Sequence, residues 1–96
     1  MKYRSRSDIV GLILEAANGG ATKTKIMYKS YLSFAQLRDY LAMLTEQGLV
    51  EFDELGHQFK TTSKGLRVLQ IQNQINEEFD AIDVDRKRRV PAIELH

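Results

Sequence analysis

Apolar residues recur at helical spacing three times before the chain changes rhythm. In the first stretch Ile9, Leu12, Ile13, Ala16 and Ala17 share one face of a 3.6-residue repeat. The sequence predicts a helix starting near Ser7, with Ser5 and Ser7 as capping candidates, and ending at Asn18-Gly19-Gly20. Thr22 opens a short second helix. Ile26 and Met27 turn inward there, and Lys23, Lys25 and Lys29 lie on or near the outer surface. Ser30 to Leu32 reads as a tight connection. Ser33-Phe34-Ala35-Gln36 then fits a capping box, in which serine and glutamine each satisfy a free backbone N–H. Leu37, Tyr40, Leu41 and Leu44 form the buried stripe of this third helix, and Gln47-Gly48 stops it. Ala35, Gln36, Arg38, Asp39, Ala42, Met43 and Glu46 face outward.

The period then falls to two. Leu49 to Phe52 alternates as a strand, Asp53-Glu54-Leu55-Gly56-His57 turns, and Gln58 to Thr61 returns with Phe59 inward. Gly56 is the expected positive-φ residue of the turn. A two-stranded ribbon is too small to stand alone and must lie on the helices. Thr62 or Ser63 caps a last helix, expected from Ser63 to about Ile82. Leu66 and Leu69 suit the core, while Val68, Ile71, Ile75, Phe79 and Ile82 make a continuous apolar seam. A helix of about 20 residues spans about 30 Å, more than so small a core can cover. Two covers stay open for the distal seam: a second copy of the helix, or the chain's own domain folded against it. Beyond it, Arg86-Lys87-Arg88-Arg89 and Pro91 read as a basic, flexible tail. That run either binds phosphates or is a solvated terminus, with Asp80, Asp83 and Asp85 offsetting its field.

Helix, helix, helix, hairpin, helix is the element order of a winged helix-turn-helix domain, mainly α with a small β-hairpin. The expected organisation is a winged-helix core over 1–62, a helix for core packing and dimerisation over 63–82, and a tail over 83–96. By fold analogy, the third helix enters a DNA major groove and the hairpin reaches a neighbouring groove or the backbone.

Composition narrows the chemistry. The 96 residues are one domain's worth, with 43% hydrophobic and 28% charged positions. Cysteine is absent and the two histidines are His57 and His96, so no disulfide, thiolate metal site or paired-histidine site is expected. No HExxH and no glycine-rich phosphate loop occurs. Neither a cofactor nor an enzymatic activity is expected. No run approaches the roughly 20 apolar residues of a membrane span, and no signal peptide is evident. A cytoplasmic location follows by elimination, nucleoid-associated if the chain binds DNA.

Net charge is only +1, but it is unevenly spread. Residues 1–33 carry six basic and two acidic side chains, and residues 34–62 carry two basic and five acidic ones. An electropositive end of this kind can face a phosphate backbone. Lys23, Lys25 and Lys29 are candidates for phosphate contacts, joined by Arg4 and Arg6 in a basic N-terminal arm and by Lys60 on the hairpin. Gln36 suits a bidentate contact to adenine, Arg38 a guanine or a phosphate, and Ser33 with the helix N-terminus a phosphate. The wing tip, with Asp53 and Glu54, is unfavourable for insertion into DNA. Tyr28, Tyr31 and Tyr40 either stack at a nucleic-acid surface or edge a small core.

The segments Ile26-Met27-Tyr28-Lys29, Leu32-Ser33-Phe34, Tyr40-Leu41, Leu44, Gly48-Leu49-Val50 and Phe59-Lys60-Thr61-Thr62-Ser63-Lys64-Gly65 carry a resemblance. Over about residues 5–80 the chain resembles the archaeal winged-helix DNA-binding proteins related to Sso10a. The resemblance implies a homodimer joined by an antiparallel coiled coil of C-terminal helices. It implies double-stranded DNA as the partner, in transcription regulation or chromosome organisation. On this chain it puts dimerisation on Ile71, Ile75, Phe79 and Ile82, and the DNA-facing helix at Ser33 to Gln47. The competing expectation is a winged-helix protein-interaction module without DNA binding, favoured by Asp39, Glu46 and the acidic wing tip.

Overall fold

In a computed structural model the backbone is described for residues 5–94, and side chains through Phe79 and at Ala81. Four helices and one hairpin follow the expected order: α1 (Arg6–Ala17), α2 (Lys23–Ser30), α3 (Phe34–Glu46), β1 (Val50–Asp53), β2 (Gln58–Thr61) and α4 (Ser63–Glu94). The fold is mainly α with an antiparallel hairpin, as expected.

Each helix start has a local cause. Ser5, rather than Ser7, caps α1: its Oγ accepts from Asp8 N at 3.0 Å, and the Asp8 carboxylate accepts from Ser5 N at 3.2 Å. Arg6 is therefore the first residue of a helix and not part of an arm. Thr22 caps α2, and Ser33 and Gln36 form the reciprocal box on α3. Thr62 caps α4 through Gly65 N, 3.0 Å from its Oγ1, while donating from the same hydroxyl to Gly48 O at 2.6 Å.

The core is built where the three short helices, the hairpin and the start of α4 meet. Ile13, Leu14, Ile26, Leu37, Leu44 and Val50 are almost wholly buried there, and Leu69 of α4 joins them. β1 and β2 pair with Val50 opposite Thr61 and Phe52 opposite Phe59. A third backbone segment extends the ribbon: Ala21 and Phe59 exchange both N–H···O bonds, at 2.9 and 2.8 Å. Thr61 Oγ1 donates to Leu14 O at 2.6 Å, which ties the hairpin to α1. The hairpin turn differs from expectation, because His57 and not Gly56 takes the positive φ, at 50°. Asp53 Oδ1 accepts from Leu55 N at 3.2 Å, a side-chain turn that bends the chain two residues earlier.

Two glycines let α4 lie close. A Cβ on Gly65 would collide with the Leu49 carbonyl oxygen and stand 2.7 Å from Thr61 Cγ2. A Cβ on Gly11 would collide with the Gln72 amide. That amide donates to Ser7 O and Ser7 Oγ at 2.5 and 2.6 Å, so α1 and α4 are latched side by side.

The last helix runs to Glu94, well past the expected end near Ile82. Residues 83–90 hold no glycine or proline to stop it. Pro91 lies in the final turn, where it forgoes one helix hydrogen bond. A 32-residue helix is about 48 Å long, and it sets the long dimension of a molecule measuring 63 × 27 × 19 Å. No described helix is long and apolar enough to cross a membrane.

Candidate nucleic-acid interface

The exposed side of α3 is fixed by what its other side buries. Leu37, Leu41 and Leu44 sit in the core, so Ala35, Arg38, Asp39, Ala42 and Glu46 are left outward. The angle at which α3 leaves α2 is set by three residues. Ser30 is buried with its Oγ donating to Ile26 O at 2.7 Å. Tyr31 closes α2 in the left-handed region at φ 58°. Leu32 then drops into the core.

Between α2, α3 and β2 lies an open groove of about 570 Å³. Lys23, Arg38 and Glu46 rim it, and Leu41, Ala42, Thr45 and Phe59 form its floor. Lys23 Nζ stands 5.0 Å above the ring of Phe34, the first residue of α3. That cation–π contact holds the ammonium at the N-terminal end of the helix. Arg38 Nε lies 3.6 Å from Asp39 Oδ1, with both side chains mostly exposed. Such a surface pair is weak and screened by salt, so Arg38 can be redirected to a phosphate at little cost.

The predicted site residues do not all converge. Lys23 and Arg38 share the groove, with Ser33 at the adjoining N-cap of α3. Lys25 is exposed on α2 with its backbone N–H held by Thr22 Oγ1. Lys29 faces away from the groove, lining a cleft with Leu12, Glu15, Ala16 and Tyr31. The three lysines therefore form no single patch. A separation of six residues carries a side chain about 240° round a helix, a signal present in the sequence. Arg6 lies on the far flank of α3, its Nη2 3.7 Å from Met43 Sδ and close to Asp39 and Tyr40. Lys60 pairs across from Glu51, on the hairpin face opposite Phe59 and the groove. Gln36 Oε1 accepts from Ser33 N at 3.0 Å. A bidentate contact to adenine also needs that oxygen, so the capping box and the base compete for its orientation. Arg4 lies outside the described residues, as does the side chain of Ile82. Ile71, Ile75 and Phe79 remain exposed, at 50%, 48% and 63%.

The profile of the winged helix-turn-helix family matches residues 3–79. The chain belongs to that family. No curated protein matches it. Membership points to DNA binding in general, with α2 and α3 as the helix-turn-helix pair and the β1–β2 hairpin as the wing. The match spans the core and reaches Phe79, midway along α4.

Two features of this winged helix escape sequence reasoning. The Ala21–Phe59 bridge depends on where a loop lands, and a single alanine carries no strand signal. Leu55 at the wing tip is 96% exposed, between acidic Glu54 and Gly56. Among the described residues, no group of three or more histidine or carboxylate side chains is placed to hold a metal ion. No buried side-chain polar atom among them lacks a hydrogen-bond partner.

Proposed function

We propose that this protein binds double-stranded DNA as a homodimer, in transcription regulation or chromosome organisation. The observation that carries the reading is the groove: Lys23 and Arg38 flank the exposed face of α3, in a chain that belongs to the winged helix-turn-helix family. The α3 face enters the major groove, and Lys23 with the Ser33 N-cap holds the adjoining phosphates. Lys25 contributes at the end of α2 and Arg6 at the flank of α3 beside Asp39, whereas Lys29 and Lys60 lie away from this surface. The second copy joins through α4. Ile71, Ile75 and Phe79, with Val10 and Val68, line an open groove of about 670 Å³ between α1 and α4. A long helix with such a face is covered by another copy of itself. Dimerisation by an antiparallel coiled coil, kinship with the Sso10a-related proteins and a nucleoid-associated cytoplasmic location are parts of the same proposal.

The test is selection from random duplex DNA at two salt concentrations, followed by sequencing of the bound fraction. An enriched two-fold motif identifies a regulator, and salt-sensitive binding without enrichment identifies an architectural protein. Lys23→Ala and Arg38→Ala should each weaken duplex binding several-fold. Each should also lower the slope of log affinity against log salt by about 0.9 for a lost phosphate contact. Wild-type affinity and slope in both variants would remove these residues from the interface. No binding of duplex DNA at low salt would leave a protein partner, a reading supported by Leu55 standing exposed beside Asp53 and Glu54.

A further inference from the structure

The outer surface of α2 carries a second arrangement, of which the duplex-binding face uses Lys25 alone. Tyr28 is 73% exposed and Tyr31 77% exposed. Lys25 precedes Tyr28 by three positions and Lys29 by four, so both ammonium groups lie on the Tyr28 side of the helix. Lys29 and Tyr31 line the same cleft against α1. Two aromatic faces and two ammonium groups are thus interleaved on one side of the domain. Glu15 is the acidic group that borders them, at the α1 edge of the cleft.

Tyr31 adds a second, independent observation. Its φ is 58°, at the residue that closes α2. Glycine or asparagine ordinarily fills that position, because a Cβ crowds the following carbonyl in the left-handed region. A tyrosine kept there with most of its surface in solvent is retained at a local cost. Strain of this kind collects at positions whose side chain is used.

We infer that this face binds single-stranded DNA, with unpaired bases stacked on Tyr28 and Tyr31 and the phosphates held by Lys25 and Lys29. Alternation of stacking rings and cations is what an unpaired strand requires, since every base offers a π-face and every linkage an anion. A duplex hides its base faces and cannot use the tyrosines. An acidic protein segment would use the lysines alone, and a proline-rich one the rings alone. The choice of DNA over RNA rests on the proposed duplex binding of the neighbouring α3 face; the strand site itself does not.

Tyrosine emission supplies the readout, because the chain has four tyrosines and no tryptophan. Titration of the full chain with a thymidine oligonucleotide should quench that emission saturably. Tyr28→Ala and Tyr31→Gly should each weaken oligonucleotide binding about tenfold. Circular dichroism should show Tyr31→Gly still folded, since glycine takes the left-handed conformation without strain. Binding of a duplex, followed separately by anisotropy of a labelled strand, should stay unchanged in both variants. Oligonucleotide affinity that survives both substitutions would overturn the proposal. Equal loss of oligonucleotide and duplex binding would overturn it too, by assigning the tyrosines to the duplex face. Tighter binding of a uridine oligoribonucleotide would overturn the choice of DNA. Failure of duplex binding alone, with the oligonucleotide result intact, would sink the α3 reading and leave the strand site standing.

Discussion

Gly65→Ala should lower the unfolding free energy by about 2 kcal/mol, although alanine is the better helix former by about 1 kcal/mol. The sign is inverted by what a methyl group meets. Gly65 is in the first turn of α4 and buried, and a Cβ there collides with the backbone oxygen of Leu49 and crowds Thr61 Cγ2. Neither neighbour yields easily. Leu49 O already accepts from Thr62 N at 3.0 Å, and Thr61 is fixed by its bond to Leu14 O. Overpacking a well-filled site costs about 1–3 kcal/mol, and more when backbone must move. For a chain of this size, the net loss lowers the melting temperature by about 10 °C. Gly11→Ala makes the comparison informative, because its obstructing atom is the movable amide end of Gln72. That variant should lose less, and its loss should come from the broken latch to Ser7. Calorimetry or thermal circular dichroism reads both. A Gly65→Ala protein as stable as its parent would mean that α4 does not dock as closely as the geometry requires.

The same close approach shows how far the sequence could be read. The three capped helices, the hairpin and their order were legible because each has a local signature. Ser33 to Gln36 spells its own N-terminus, and Leu37, Leu41 and Leu44 spell the buried face. The site was harder for a physical reason. Lys23, Lys25 and Lys29 are close in sequence, yet rotation about α2 sends Lys23 to the α3 groove and Lys29 to the α1 cleft. Gln36 has the right chemistry for adenine and the right spacing for a capping box, and only the fold shows that the box holds it. The end of α4 went the other way. Pro91 reads as part of a flexible tail, and the helix nonetheless carries it in its final turn. Leu55 has no periodic partner, so nothing in the sequence marked it as the most exposed large apolar side chain among the described residues.

Ile75→Asp should convert the protein from a dimer to a monomer without unfolding it. Ile75 is 48% exposed on α4, between Ile71 at 50% and Phe79 at 63%. It lies outside the core cluster, so an aspartate there faces solvent in a monomer and leaves Ile13, Leu14 and Leu37 undisturbed. In a two-fold helix pair each seam residue occurs twice. Burying an isoleucine contributes about 1.5–3 kcal/mol, and an unpaired buried carboxylate costs several kcal/mol more. The dissociation constant should rise by about a thousandfold or more, since 1.4 kcal/mol is a factor of ten. Sedimentation at micromolar protein should then report 11.0 kDa in place of twice that value. The far-ultraviolet circular dichroism of the core should persist, because α1 to α3 and the hairpin do not draw on the seam. Duplex binding should weaken as well, because in the proposed dimer two α3 helices on one axis would engage DNA as a linked pair. A parent protein that sediments at 11.0 kDa, or a variant that keeps the doubled mass, would place the dimer contact elsewhere. The groove between α1 and α4 would then need another occupant.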